Sequence, residues 1–191
     1  MRAPHPPPGN TLGWVQRILV YGVTGSGKST LAKRLGERLA LPYHAIDDLT
    51  WEPGWVPVPD KLQHERVAAI CATDKWVIDS AYAKWMDLPL SRADLIVGLD
   101  LPRWLSYGRL LRRTIWHMIR RTQTCNGNYE TFRNAFLSSD SILVWHFRSY
   151  KRKQVRMRAW HADPAMPEVV LLRSPREVER WVAELSGARR A

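Results

Sequence analysis

The chain has 191 residues, enough for one domain with a sizeable core, and its hydrophobic content of 45% is ordinary for a globular protein. No apolar run approaches the roughly 18 residues of a membrane span, and two distant cysteines without a CxxC pair predict a reducing, cytoplasmic setting. The net charge of +11 lies entirely in residues 103–158, which contain 13 Lys/Arg and only two acids, Glu130 and Asp140. A polyanion is therefore the expected partner.

The first part of the chain predicts a lead-in, a strand and a helix. We expect residues 1–16 to be a disordered lead-in, because they contain several prolines and lack the apolar stretch of a secretory signal. The run "RILVY", Arg17–Tyr21, predicts a buried strand that ends at a glycine. Ser29–Ala40 predicts a helix, because leucines recur there every four residues.

The middle of the chain predicts more strands and helices in alternation. Short apolar runs predict strands at Tyr43–Asp47, Lys75–Asp79 and Asp94–Asp100. Helical spacing predicts two helices, Asp60–Thr73 with Asp60 as its N-cap and Pro102–Arg121. In the second of these, the residues expected to face inward are Leu105, Leu111, Ile115 and Met118.

The last third predicts three helices and a fifth strand. They are Glu130–Leu137, Ser141–Trp160, the strand Glu168–Arg173, and a final helix opened by Ser174, Pro175 and a capping-box Glu177. Strands that alternate with helices predict an α/β fold, a parallel sheet with helices on both faces. We expect a single domain over residues 17–186 and a short tail at 187–191.

Residues Gly22–Ser29 match the full Walker A pattern and follow the first predicted strand directly. Glycines let the backbone wrap closely around phosphates, while N–H groups and the helix N-terminus face the negative charge. Lys28 is expected to reach the β- and γ-phosphates of ATP, and the Ser29 hydroxyl to bind Mg²⁺. A glycine-rich turn matched by chance is the alternative. The expected nucleotide-binding residues here are Gly22, Val23, Thr24, Gly25, Ser26, Gly27, Lys28, Ser29 and Thr30.

Aspartates follow two predicted strands at the edge where parallel sheets bind ligands. Asp47 and Asp79 each end a strand, and Asp48 adjoins the first. A carboxylate at this edge holds water on Mg²⁺ or accepts a proton from an attacking hydroxyl. The alternative for each is a helix cap or a turn residue. Asp100 also ends a strand but precedes Pro102, so we interpret it as a turn residue.

Arginines form one face of the helix Pro102–Arg121. Arg109 and Arg113 lie four residues apart with Arg112 beside them, and no acid occurs between Arg103 and Arg121. Such a face suits the oxygens of a transferring phosphoryl group, although a solvated basic face is the plainer interpretation. Arg148 and Arg152 are weaker candidates for phosphate contact.

Tryptophan is frequent, with ten in the chain. Trp51 and Trp55 lie in "LTWEPGWVP", shortly after Asp47, where they form either one wall of an acceptor pocket or part of the core.

The motifs together resemble those of adenylate-kinase-like P-loop proteins often labelled topology modulation proteins. The resemblance covers Arg17 to Leu185 and depends most on the order "IDDLTW", "WVIDSAY" and "LDLPRW". It implies a P-loop NTPase three-layer sandwich with five parallel strands in the order 2-3-1-4-5 and an enlarged lid at about 120–158. It also implies that Asp47 faces the acceptor or Mg²⁺ and that Asp79 is linked to Mg²⁺ through water. By the same resemblance, Arg109 and Arg113 lead into the lid, and Arg173 and Ser174 lie beside the adenine.

One departure concerns the acceptor. Adenylate kinases have an arginine soon after the third strand that helps bind the monophosphate, whereas this chain has "DSAY" at residues 79–82 and no arginine until Arg92. This difference argues against AMP as the acceptor.

These patterns predict an ATP-dependent kinase that phosphorylates a small molecule. Its expected catalytic residues are Lys28, Asp47, Arg109 and Arg113, and Ser29 and Asp79 are the expected metal ligands. Three alternatives remain open: a nucleoside or nucleoside monophosphate kinase, an ATP-binding regulator that associates with DNA, and a simple nucleotide hydrolase. No membrane partner is expected, and the sequence does not determine the oligomeric state.

Overall fold

The structure, a computed structural model, describes residues 15–80, 82–120, 122–123, 125–128 and 141–187, with the backbone alone at 186–187. Helix Glu130–Leu137, most of the predicted lead-in and the end of the tail lie outside these residues. Among the residues that are described, no helix is both long and apolar enough to cross a membrane.

A five-stranded parallel sheet forms the middle layer, and a two-stranded antiparallel hairpin lies apart from it. In chain order the strands are β1 (Arg17–Gly22), β2 (Tyr43–His44), the hairpin strands β3 (Trp51–Glu52) and β4 (Val56–Pro57), β5 (Trp76–Ile78), β6 (Leu95–Leu99) and β7 (Glu168–Leu172). The sheet has the order β2-β5-β1-β6-β7. Counted over the sheet strands alone, this is 2-3-1-4-5, so the predicted order is confirmed.

Helices cover both faces of the sheet. Their bounds are α1 (Lys28–Leu39), α2 (Ile46–Thr50), α3 (Asp60–Ala72), α4 (Asp87–Arg92), α5 (Arg103–Arg120), α6 (Ile142–Ala162) and α7 (Pro175–Gly187), with short 3₁₀ turns at Ala83–Trp85 and Cys125–Gly127. The hairpin β3–β4 and the helices α2 and α4 were not predicted.

Alternate residues of each central strand feed two hydrophobic cores. Ile18 and Val20 of β1 pack in one core with α1 and α7, whereas Leu19 and Tyr21 pack in the other with α3 and α6. Successive side chains of a strand point to opposite faces, so a strand buried on both sides is apolar throughout. This arrangement confirms the predicted α/β sandwich.

The second predicted strand is shorter than expected. It ends at His44, and α2 begins at Ile46, whose N–H donates to the Asp79 carboxylate at 3.0 Å. Asp47 therefore lies in the first turn of a helix and does not end a strand. A similar correction applies to Asp60, which is the first residue of α3 after the N-cap Pro59 and pairs with Lys84 instead of capping.

The inward face of α5 differs from the prediction. Ser106, Leu110 and Thr114 are the buried residues, whereas Ile115 is 41% exposed. Leu105, Leu111 and Met118 are only half-buried. The prediction favoured apolar residues, but the side of α5 that packs on the glycine loop and on α6 is lined partly by small hydroxyl side chains.

Asp100, interpreted as a turn residue, fixes α6 to the end of β6. It is 5% exposed and accepts hydrogen bonds from Gln154 Nε2 at 2.8 Å and Arg158 Nε at 2.7 Å. Met157, on the same helix, is part of the core beneath the sheet. The predicted lid at 120–158 thus overlaps a helix whose C-terminal half is anchored, and the extent of the lid stays a prediction.

The capping box predicted before α7 is present in altered form. Ser174 Oγ accepts the Glu177 N–H at 3.2 Å. The Glu177 carboxylate accepts the N–H of Arg173 at 2.7 Å, one residue earlier than in the standard motif.

Candidate active site

The Walker A segment, Gly22–Ser29, forms a tight loop between β1 and α1, which we call the phosphate loop. Gly25 and Gly27 have φ values of 78° and 95°, in the left-handed region that favours glycine. Gly27 is also the N-cap of α1, so the free N–H groups at the helix start lie at the end of the loop. This is the geometry in which backbone N–H groups surround a phosphate.

Helix α5 packs directly on this loop. A Cβ atom added to Gly25 would lie 2.3 Å from the Ser106 carbonyl oxygen and 2.8 Å from Leu110 Cβ. Any side chain at Gly25 would therefore push α5 away from the loop. The glycine serves both the backbone conformation and the close approach of the arginine-bearing helix.

Lys28 folds back over the loop. Its Nζ donates to the Val23 carbonyl at 2.9 Å, and the same carbonyl accepts the Ser26 hydroxyl at 2.7 Å. Burial lowers the pKa of the Lys28 ammonium, and the charges of Asp47 and Asp79 oppose that shift. Lys28 is thus close to both predicted carboxylates.

Lys153 of α6 reaches the same loop, although the sequence reasoning did not select it. Its Nζ donates to the Gly22 carbonyl at 3.2 Å and lies 5.5 Å from the centre of the Tyr21 ring. Burial and then the charge of Lys28 lower the pKa of Lys153 to about 7. The sequence contains one signal that could have indicated Lys153: it lies at helical spacing from His146 and Met157, two buried residues of α6.

Asp79 is a buried carboxylate at the end of β5. One of its oxygens accepts the Ile46 N–H, and the other accepts the Tyr43 hydroxyl at 2.9 Å. Burial and the Asp79 charge raise the pKa of Tyr43, while a hydrogen bond with Ser29 acts in the opposite direction. Tyr43 is therefore hydrogen-bonded to Asp79, and it lines one pocket together with Ser29, the other predicted metal ligand.

This donor set fits Mg²⁺, which prefers oxygen ligands and retains several waters and phosphate oxygens in its shell. Among the described residues, no group of three or more His, Cys, Asp or Glu could hold a metal ion. One hydroxyl and one carboxylate suit a metal that is bound mainly through a nucleotide. The metal role of Ser29 and Asp79 stays a prediction.

Asp47 is exposed and oriented by a tyrosine. Its Oδ1 accepts the Tyr82 hydroxyl at 3.0 Å, and burial followed by the Asp47 charge raises the pKa of that tyrosine. Burial and then the charges of Asp47 and Asp79 raise the pKa of Asp48. The charges of the three aspartates therefore influence one another, and Tyr82 is hydrogen-bonded to Asp47.

Two asparagines clasp the loop that follows Asp47. The Asn126 amide donates to the Asp48 and Trp51 carbonyls, and buried Asn128 accepts the Trp55 N–H at 2.7 Å. Trp51 and Trp55 meet edge to face at 5.8 Å. Residues 125–128 thus form one side of the region around Asp47, an arrangement that no local pattern in the sequence indicated.

A cleft of about 410 Å³ lies against the Walker A loop, where Gly25, Ser26 and Gly27 line it. Arg109, Arg112 and Arg113 line it together with Pro175 and other residues of α1, α7 and the loop. Arg109 Nη1 is 3.5 Å from the Ser26 carbonyl, and the Arg113 charge lowers the pKa of Lys28. The predicted arginine face is therefore next to the loop.

Other predicted residues lie further from this cleft. Arg173 and Ser174 precede Pro175 and do not line it, so their place beside adenine stays a prediction. Arg152 lies 5.8 Å from the centre of the Trp145 ring and lowers the pKa of Lys153, whereas Arg148 is exposed on α6.

Comparison with solved structures identifies the fold. The chain matches a shikimate kinase from Bacteroides thetaiotaomicron with a TM-score of 0.52 and 12% identity, over 93% of this chain and 99% of that one. The chain has the P-loop kinase fold. It also matches a gluconokinase from Sinorhizobium meliloti 1021 (18% identity, 93% and 97% covered) and a sugar kinase from Janibacter sp. HTCC2649 (16%, 91% and 98%), both with a TM-score of 0.49.

No protein-family model matches this chain, and no curated protein matches it. The resemblance to topology modulation proteins therefore stays a prediction, while the fold that it implied is confirmed.

Proposed function

We propose that the protein is a kinase that transfers the γ-phosphoryl group of ATP to a hydroxyl of a small molecule. The observation that carries this proposal is the position of Asp47. The Tyr82 hydroxyl donates a hydrogen bond to this carboxylate. The negative charge of Asp47 favours the charged form of Lys28, the lysine of the phosphate loop. A candidate proton acceptor thus lies beside the phosphate loop and outside the cleft that Arg109 lines.

The chemical step assigns one role to each group. The acceptor oxygen forms a bond to the γ-phosphorus, the bond from that phosphorus to the β–γ bridging oxygen breaks, and ADP leaves. The acceptor proton passes to the Asp47 carboxylate. Lys28, Arg109 and Arg113 neutralise charge on the phosphoryl oxygens. Ser29 and, through water, Asp79 would hold Mg²⁺, which supplies further neutralisation when bound.

The acceptor is better described as a small hydroxyl compound than as a nucleoside monophosphate. Between Asp79 and Arg92 the sequence has a single cation, Lys84, and that residue pairs with Asp60. A monophosphate acceptor would need a cation available there. The shikimate kinase that shares the fold is, by its name, a kinase of a small molecule, which agrees with this choice.

Release of ADP from ATP and Mg²⁺ in the presence of pooled hydroxyl compounds tests the proposal, with Lys28→Ala as the blank. We expect one pool to stimulate release. Asp47→Asn should keep ATP affinity, because the amide oxygen still accepts the Tyr82 hydroxyl, and should lose about 10²- to 10⁴-fold in turnover. Full transfer by Asp47→Asn would remove the assigned role, and a flat response to every pool would contradict a small-molecule kinase.

A second candidate function is association with a nucleic acid. Helices α5 and α6 contain no Asp or Glu and carry eleven Lys/Arg, and their outer faces expose Trp104, Trp116 and Trp145. Phosphate contacts by cations and base stacking on aromatic rings are the two components of single-strand binding. This function is compatible with a kinase site on the same chain.

A further inference from the structure

The inward stripe of α6 contains one cation among neutral residues. Its buried members are Leu143, His146, Ser149 and Met157, and Lys153 continues the same stripe at helical spacing. A lysine in such a stripe loses solvation of its charge, so the position is unfavourable unless the ammonium finds partners. Its hydrogen-bond partner is the Gly22 carbonyl, at 3.2 Å from Nζ, and the Tyr21 ring lies 5.5 Å away.

Both lysines at the phosphate loop donate to its carbonyl oxygens. Lys28 Nζ is bonded to the Val23 carbonyl and Lys153 Nζ to the Gly22 carbonyl, which are consecutive in the chain. Two ammonium groups on adjacent carbonyls repel each other, and the Lys28 charge does lower the pKa of Lys153. A polyanion between them would relieve this repulsion.

The other charged neighbours of Lys153 indicate which part of a nucleotide it would meet. Asp47 acts on Lys153 as well as on Lys28, while Arg152 and Arg156 lie on the same helix. Asp47 is the residue proposed to face the acceptor. With Asp47 in that role, a phosphate held by Lys153 at the Gly22 end of the loop would be the one nearest the acceptor, the terminal phosphate.

The helix that carries Lys153 is fixed on both sides of it. Gln154 and Arg158 bond to buried Asp100, and the Tyr150 hydroxyl donates to the Leu101 carbonyl at 2.9 Å. These bonds set the height and rotation of α6 relative to the phosphate loop. Lys153 is thus placed by the core of the molecule.

We propose that Lys153 is a second phosphate-binding lysine, whose ammonium leaves the Gly22 carbonyl to contact the γ-phosphate of the bound nucleoside triphosphate. This inference rests on the proposed function for the identity of the nucleotide. It assigns α6 a direct part in the site and separates the role of Lys153 from that of Lys28, which reaches the β-phosphate as well.

The affinities of a non-hydrolysable ATP analogue and of ADP, each with Mg²⁺, test the proposal. Lys153→Met should lower affinity for the triphosphate by about 10- to 100-fold, the range for a hydrogen bond to a charged group, and change ADP affinity by less than about twofold. Lys153→Arg should restore most of the loss. Lys151→Met, an exposed lysine two residues away on the same helix, is the matched control and should change neither affinity.

Two results would overturn the proposal. An equal loss for ATP analogue and ADP would mean that Lys153 only supports the loop through Gly22, and no loss for either would mean that it does not meet phosphate. If the methionine variant does not fold, Lys153→Gln replaces it, because its amide keeps an N–H donor and removes the charge, and the same two results would overturn the proposal. These assays need no acceptor, so a chain that binds ATP but phosphorylates nothing would fail the proposed function and leave the Lys153 result intact.

Discussion

At the scale of single residues, the loop that the Walker A segment forms can be predicted from the sequence, whereas the position of Lys153 beside that loop cannot. The Walker A residues are adjacent in the chain, so their spacing alone fixes the loop between β1 and α1. Lys153 is 131 residues from Gly22, and only the packing of α6 brings the two together. Tyr82 on Asp47 and Tyr43 on Asp79 are contacts of the same long-range kind.

The lowered pKa of Lys153 predicts that the free energy of unfolding depends on pH. Its pKa is lowered from 10.5 to about 7 in the folded chain, so between these values the unfolded chain binds a proton that the folded chain does not. The contribution of this group to stability therefore rises as pH increases from about 7 to 10.5 and is flat below 7. Replacing the lysine by methionine removes this dependence.

The measurement is urea unfolding of the wild type and of Lys153→Met at pH 6, 8 and 10. We expect the free energy of unfolding of the wild type to gain on that of the variant with each step above pH 7. Lys151→Met should run parallel to the wild type. Parallel behaviour of Lys153→Met would show that Lys153 titrates normally in the fold.

At the scale of elements, the strands were easier to predict than their ends. The apolar runs of β1, β5 and β6 are buried on both faces, and that of β7, an edge strand, is partly buried against both cores, so each leaves a nearly unbroken hydrophobic signal. The strand β2 has only two residues, because the Asp79 carboxylate caps α2 at Ile46. A contact across 33 residues decided that boundary, and no local pattern contains it.

The prediction of the inward face of α5 was wrong for a related reason. Apolar residues were expected to face inward, yet Ser106 and Thr114 are fully buried there. The Ser106 hydroxyl is 2.9 Å from His146 Nε2 of α6, and its carbonyl oxygen is the atom that excludes a Cβ at Gly25. Close helix–loop packing selected small residues over hydrophobic ones.

The anchoring of α6 predicts a contrast between two ion pairs of equal length. Arg158 to Asp100 and Arg34 to Glu179 both measure 2.7 Å, but the Asp100 side chain is 1% exposed and that of Glu179 is 65% exposed. Asp100→Ala removes a buried acceptor from Gln154 and from Arg158, whose own side chain is 55% exposed, and should cost about 1–3 kcal/mol of unfolding free energy, mostly through Gln154. Glu179→Ala should cost far less, because water and salt screen an exposed pair.

Chemical denaturation of both variants measures the contrast. Equal losses would mean that Asp100 does not anchor α6. Asp100→Asn should lie between the wild type and the alanine variant, because the amide still offers one acceptor oxygen, to Gln154.

At the scale of the whole molecule, charge is divided unevenly. Outside residues 103–158 the 16 basic and 16 acidic residues balance, whereas α5 and α6 carry cations without a single carboxylate. The sequence located this excess correctly, but it did not show that large apolar side chains share the same surface. Trp104 is 75% and Ile119 is 74% exposed.

This surface predicts salt-dependent binding of single-stranded DNA. Arg120 and Arg152 each lie 5.8 Å from the ring centre of an exposed tryptophan, Trp116 and Trp145, so a cation and a stacking platform occur side by side twice. Such pairs can hold a phosphate and a neighbouring base together. Replacing both arginines by alanine should weaken binding and reduce the slope of log affinity against log salt by about one to two.

The matched control replaces Arg176 and Arg180, two exposed arginines of α7 outside the basic segment, and should leave affinity and slope unchanged. Equal effects of the two double variants would mean that binding reflects net charge alone, and no binding by the wild type at low salt would exclude this surface as a nucleic-acid site. Because Arg152 is adjacent to Lys153 and its charge acts on that lysine, the kinase proposal predicts that ATP affinity survives in the control double variant and in Arg120→Ala alone. A joint loss of DNA and ATP binding would instead mean that the surface and the nucleotide site are one.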